Sequence, residues 1–99
     1  MKLTWTNEAL YRLIEIEDYI SEDSPRRALN FVNRIIQKAE SLKNHPRKGR
    51  IVPEFSIPEI RELIYKNYRI VYIIRKEYLE ILTVFESQGL IRKDEIIKG

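Results

Sequence analysis

Glu54, Arg69, Arg61, Arg50 and Lys48 are the residues of this chain whose types and spacing suit chemistry on a phosphodiester. Cleaving RNA without a metal needs a base for the 2′-hydroxyl proton and cations for the developing phosphorane. It also needs an acid for the leaving 5′-oxygen. Glu54, directly after Pro53, is the candidate base. Arg69, read as exposed on a strand face, is the candidate phosphate clamp through its planar guanidinium. Arg61 and Arg50 are additional clamps, and Lys48 adds positive charge. For Arg61 and Glu62 the plainer reading is cross-strand ion pairing, which stabilises little at a surface.

Charge is distributed to match. Residues 1–42 carry six Lys/Arg against seven Asp/Glu, whereas residues 43–76 carry nine Lys/Arg against three Glu. A basic segment of that kind suits a polyanion or an acidic protein partner. No cysteine is present, which removes disulfides and thiolate sites, and the single histidine, His45, makes a zinc site improbable. No metal or cofactor is therefore expected. The 99 residues, 43% hydrophobic, suit one domain spanning 1–99 with one core. No apolar run has the length of a membrane span, so a cytoplasmic protein is the default expectation.

The elements that must position these residues are legible from periodicity. Leu3 to Thr6 reads as a short strand. Thr6 or Asn7 can cap a helix over 7–21 whose apolar positions are Ala9, Leu13, Ile16 and Ile20. Ser24 caps a second helix with Pro25 at its first position, and Ala28, Val32, Ile35, Ala39 and Leu42 form its stripe. Asn44 and Pro46 end it, which makes His45 a helix-terminal residue. After a basic loop over 46–58 the period becomes two. Arg61, Leu63 and Tyr65 share one face of a strand, with Ile60, Glu62 and Ile64 on the other. Lys66-Asn67 turns the chain, with Asn67 expected in the left-handed conformation. Tyr68, Ile70, Tyr72 and Ile74 then form a core face opposite Arg69, Val71, Ile73 and Arg75. In a last strand Leu79, Ile81, Thr83 and Phe85 alternate against Glu80, Leu82 and Val84. Trp5 reads as core, and residues 90–99 as a short terminal helix. The fold class is α+β: an N-terminal strand and an antiparallel helical hairpin packed on an antiparallel sheet meander.

That order of elements resembles the RelE/ParE toxins of type II toxin–antitoxin systems over essentially the whole chain. The resemblance is carried by Met1 to Thr6, the proline-started second helix, Pro46 through Arg50, Pro53-Glu54, Arg61-Glu62-Leu63 and Asn67 through Tyr72. It implies a toxin, a role in plasmid stabilisation, and a cognate antitoxin whose apolar, acidic segment wraps the basic sheet side in a hetero-oligomer. In RNase members a glutamate after proline serves as base, and a tyrosine or histidine after the last strand serves as acid. Here Phe85-Glu86-Ser87-Gln88 stands at that place. Glu86 can act as the acid only if burial or a neighbouring carboxylate raises it above about 4.3.

Three readings follow from the resemblance. The first, ranked ahead for the helical hairpin, the extended tail and the missing terminal acid, is a non-catalytic toxin directed at DNA gyrase, as ParE members are. The second is a ribosome-dependent mRNA endonuclease of the RelE kind, with Glu54 as base and Arg69 as clamp. The third is a degenerate, non-toxic binding module.

Overall fold

The computed structural model describes residues 1–87, so the expected terminal helix lies outside the described residues. Strand β1 (Lys2–Trp5) leads into helix α1 (Asn7–Ser21), and helix α2 (Pro25–Glu40) follows after a three-residue link. Strands β2 (Arg50–Ile51), β3 (Ile60–Tyr65), β4 (Tyr68–Ile74) and β5 (Tyr78–Glu86) complete a five-stranded sheet of order β1-β5-β4-β3-β2. The pairs β2/β3, β3/β4 and β4/β5 are antiparallel, whereas β1 joins β5 in parallel. The mixed sheet with two helices on one face is the α+β architecture that the periodicities predict. Strand β2 falls inside what the sequence presents as loop, because two residues are too few to show an alternation.

Local chemistry explains the helix starts. The Thr6 hydroxyl accepts from the Ala9 N–H at 3.0 Å and donates to the Leu82 carbonyl at 2.8 Å. The cap of α1 thereby pins the helix to β5. Ser24 accepts from the Arg27 N–H at 3.2 Å, and Pro25 opens α2 where no N–H is needed. At its other end α2 tightens into a short 3-10 turn, Ser41–Lys43, and His45 donates its N–H to the Leu42 carbonyl. His45 is thus a terminal residue of the helical segment.

The helices bury Ala9, Leu13, Ile16, Val32, Ile35 and Ala39 against Ile70, Tyr72, Leu79, Ile81 and Val84 of the sheet, with Trp5 packed at the margin. Phe31 of α2 meets the rings of Tyr65 and Tyr68 at 5.3 and 5.5 Å, which seats the helix on the β3–β4 hairpin. In that hairpin the left-handed residue is Lys66 (φ 55°), not the Asn67 expected from asparagine's preference.

The opposite face of the sheet is covered too. Val52, Ile60, Val71 and Leu82 form a second cluster, with Phe55, Ile57, Ile73 and Phe85 against it. The covering piece is the 52–57 segment after β2. It is folded back by hydrogen bonds from the Phe55 and Ser56 N–H groups to the Val52 carbonyl, with Ser56 at φ 55°. Burial of Phe55 and Ile57 is what holds this segment down.

Strand β5 departs from strict alternation. A register shift between Val71 and Tyr72 gives β5 one extra residue: Val71 pairs with Thr83 and Tyr72 with Ile81. Before the shift Leu79 and Ile81 face the helices; after it, Val84 does. Phe85 consequently lies on the outer face, and Glu86, opposite Tyr68, lies on the helix side. The predicted grouping of Thr83 and Phe85 with Leu79 and Ile81 is corrected by this bulge.

Candidate functional site

Four charged side chains converge on the outer face of the sheet. Arg69, on β4, donates from Nη1 and Nη2 to the two carboxylate oxygens of Glu54, each at 2.8 Å. Its Nε donates to Glu62 Oε1 at 2.6 Å. Arg50 donates from Nε to the other oxygen, Glu62 Oε2, also at 2.6 Å. The order is Glu54–Arg69–Glu62–Arg50. Each carboxylate oxygen of Glu54 and Glu62 accepts a guanidinium N–H, and every nitrogen of Arg69 is engaged.

Strand geometry dictates the arrangement. Arg50 pairs directly with Glu62 across β2/β3, and Arg69 sits diagonally from Glu62 across β3/β4. Glu54 arrives from the covering segment, and Phe85 from β5 sets its ring 5.2 Å below the Arg69 guanidinium carbon. Arg69 is only 5% exposed and Glu62 1%. The expectation of an exposed Arg69 is therefore overturned. Alternation correctly put it opposite Tyr68, but Phe85 and the 52–57 segment cover that face.

The electrostatics follow from these contacts. The Glu54 carboxyl is held below its ordinary range, chiefly by the hydrogen bonds from Arg69, while partial burial opposes the shift. The Arg69 guanidinium is raised above its already high value by the same bonds to Glu54, with Glu62 adding to the effect. A carboxylate with a depressed pKa in a bidentate ion pair is a poor proton acceptor.

A pH dependence results. The folded pKa of Glu54 lies below its unfolded value, so its stabilising contribution is complete above the ordinary carboxylate range. That contribution is lost as pH falls through the depressed folded value. The stability difference between the native chain and Glu54→Gln is expected to be full at about pH 7 and to shrink towards about pH 3. Urea unfolding at both pH values measures it, and an equal difference at the two would contradict the ion pair.

The remaining expected site residues are dispersed. Arg61 donates from Nε to the Pro58 carbonyl at 2.9 Å and from Nη1 to the Gly49 carbonyl at 2.9 Å, so it clamps the loop backbone and makes no ion pair with a carboxylate among the described residues. Lys48 is exposed, with Nζ 3.3 Å from the Ser41 hydroxyl. Glu86 lies in a groove with Tyr19, Tyr68 and Phe31, on the other side of the sheet from Glu54 and Arg69. The structure thus joins Glu54, Arg69 and Arg50 and keeps Arg61, Lys48 and Glu86 apart from them. Phe85 was not singled out from the sequence, and Glu62 was read only as an ion-pair partner of Arg61, whereas it pairs with Arg50 and Arg69. The apolar Val52, Phe55 and Ile57 in a supposed loop were the available signal that a second face is buried.

A helical hairpin thus lies on one face of the β1-β5-β4-β3-β2 sheet, and the internally paired Arg/Glu cluster on the other. Residues 3–89 match the family model described as ParE toxin of type II toxin-antitoxin system, parDE. The chain is 38% identical over 88 residues to the protein named "Putative toxin Y4kP" of Sinorhizobium fredii, covering 87% of this chain and 88% of that one. It is 31% identical over 90 residues to "Toxin RelE2" of Caulobacter vibrioides, covering 90% and 98% of the two chains. A solved chain titled "Chromosomal ParDE TA system from P. aeruginosa" shares the fold, with a TM-score of 0.75 at 24% identity over 89% of this chain and 97% of that one. The chain belongs to the ParE toxin family of type II toxin–antitoxin systems.

Proposed function

We propose that this toxin arrests growth by binding its target, DNA gyrase, and does not cleave RNA. The observation that carries this reading is the engagement of all three Arg69 nitrogens by Glu54 and Glu62. A phosphate can reach that guanidinium only by displacing Glu54, and a Glu54 so held does not accept a proton readily. Glu86, the one candidate acid, faces the helices. Base, clamp and acid are therefore not assembled on one surface, which supports a toxin acting through its shape and charge. A cognate antitoxin is the expected partner, in a hetero-oligomer, and gyrase as target places the action in the cytoplasm. Among the described residues no helix is long and apolar enough to cross a membrane.

The experiment is induced expression followed within minutes by primer extension on abundant mRNAs and by assay for trapped gyrase–DNA complexes. Growth arrest with intact mRNA and accumulated gyrase–DNA complexes is expected. Discrete mRNA cleavages that vanish with Glu54→Gln, in a protein whose circular dichroism is unchanged, would instead establish the endonuclease, with Arg69 as clamp. Normal growth with neither effect would leave the binding module.

A further inference from the structure

The segment leaving the 3-10 turn and the turn between β4 and β5 enclose an open cleft of about 850 Å³. Arg47 and Lys48 line it from the first segment, Arg75 and Lys76 from the second, and all four are exposed. No carboxylate lines it among the described residues. Arg47, Lys48 and Lys76 make no salt bridge among the described residues, and only Arg75 is compensated, by Glu80 at 3.0 Å. This contrasts with Arg69 and Arg50, whose charges are neutralised by neighbouring carboxylates. Holding like charges around one concavity raises the local potential and favours a polyanion.

We infer that this cleft holds the sugar–phosphate backbone of a nucleic-acid duplex. The lining decides between kinds of polyanion. Its lining holds no Phe, Tyr or Trp, and His45 is its one aromatic ring, so it offers no succession of rings for unpaired bases to stack on, as a single-strand site would. Its apolar members are Met1, Pro46 and Ile74, which supply no aromatic anchor of the sort that dominates protein interfaces. Of the large exposed hydrophobic side chains only Met1 lines the cleft, whereas Leu10, Tyr11, Ile14, Tyr19 and Leu29 lie on the helices. What the cleft does offer is four cationic side chains with no carboxylate in the lining, and phosphate contacts need nothing else to position a duplex without reading its sequence. The inference does not depend on gyrase being the target, since it concerns a surface separate from the Arg69 cluster.

Fluorescence anisotropy of the full chain with a labelled DNA duplex of about 20 base pairs tests this, with an RNA duplex of equal length to distinguish the two sources of the same backbone. Binding is expected to be indifferent to sequence. With about four phosphates neutralised, it should weaken about a hundredfold between about 50 and about 200 mM salt. Lys48→Ala combined with Lys76→Ala should weaken binding at least about tenfold at low salt and lower the salt slope by about two. Arg26→Ala, at the far end of α2, should change it less than about twofold. Absence of binding to either duplex at low salt overturns the proposal. So does tighter binding of the separated single strand, or a polyglutamate peptide that competes at equal charge concentration.

Discussion

Replacing Arg69 with methionine is expected to cost about 3–5 kcal/mol of folding stability. Methionine follows the arginine stem but leaves Glu62, which is fully buried, with Arg50 as its one remaining partner. The Arg50 side chain is 60% exposed, so solvent screens that pair. The substitution also releases Glu54, and with it the anchor on the 52–57 segment. A domain of this size has a total stability of about 5–15 kcal/mol, and a midpoint fall on the order of 20 °C is expected. Urea and thermal unfolding at neutral pH measure both quantities. The double change Arg69→Met, Glu62→Met should recover much of the loss, because the buried pair is exchanged for apolar volume and the charges left unpaired, Glu54 and Arg50, keep side-chain exposures of 28% and 60% to solvent. A single-variant loss under about 1 kcal/mol would mean that the cluster is screened and contributes as a surface pair does.

Gly49→Ala is the second large effect, expected to cost about 1–3 kcal/mol or somewhat more. A β-carbon there would meet the Glu62 carbonyl oxygen at 2.6 Å and the Tyr72 hydroxyl at 2.8 Å. Neither atom can yield cheaply. The carbonyl belongs to β3 beside its pairing with β2. The buried Tyr72 hydroxyl donates to the Pro46 carbonyl at 2.6 Å and accepts the Gly49 N–H at 3.0 Å. Relief of the clash therefore pushes β2 away from β3, carrying Arg50 off Glu62. Adding Tyr72→Phe is expected not to rescue the alanine variant, since the nearest clash is with backbone and the Pro46 carbonyl loses its donor. Denaturant midpoints for the two variants test this; a Gly49→Ala change within about 0.5 kcal/mol of native would show that the approach of the strands is loose.

These two sites connect the stability of the chain to its function. The cluster and the Gly49–Tyr72 contact both fasten the 46–58 segment to the sheet, from the outer face and from the strand edge. A segment held at both places presents Arg47 and Lys48 in a fixed position beside Arg75 and Lys76. Loss of toxicity in either variant must accordingly be judged beside its fold, since the same contacts set the shape of the basic surface.

Much of this architecture was legible in the residue order. Thr6 and Ser24-Pro25 mark the helix starts because capping depends on a side chain and its own next turn. Ala9-Leu13-Ile16 and Ala28-Val32-Ile35-Ala39 mark buried stripes because the helical period is set by the backbone. The alternation in Leu63-Tyr65 and Ile70-Tyr72 identified the sheet face under the helices for the same reason. The basic bias of residues 43–76 was visible as composition; the wider set Glu54, Arg69, Arg61, Arg50, Lys48 and Glu86 was grouped by side-chain chemistry, and only the fold shows that Glu54, Arg69 and Arg50 meet.

What the sequence determined by itself, then, is the type and start of the two helices and of the strands β1, β3, β4 and β5, and which faces of the helices, β3 and β4 are apolar. These depend on interactions within a few residues along the chain. Only the tertiary structure decided that Arg69 is an ion-paired, covered residue and not an open clamp. Its burial depends on Glu54 being carried over the sheet by Phe55 and Ile57, and on the single extra residue in β5. That bulge brings Phe85 beneath the guanidinium and turns Glu86 to the other side, a reversal of faces that no alternating pattern can announce.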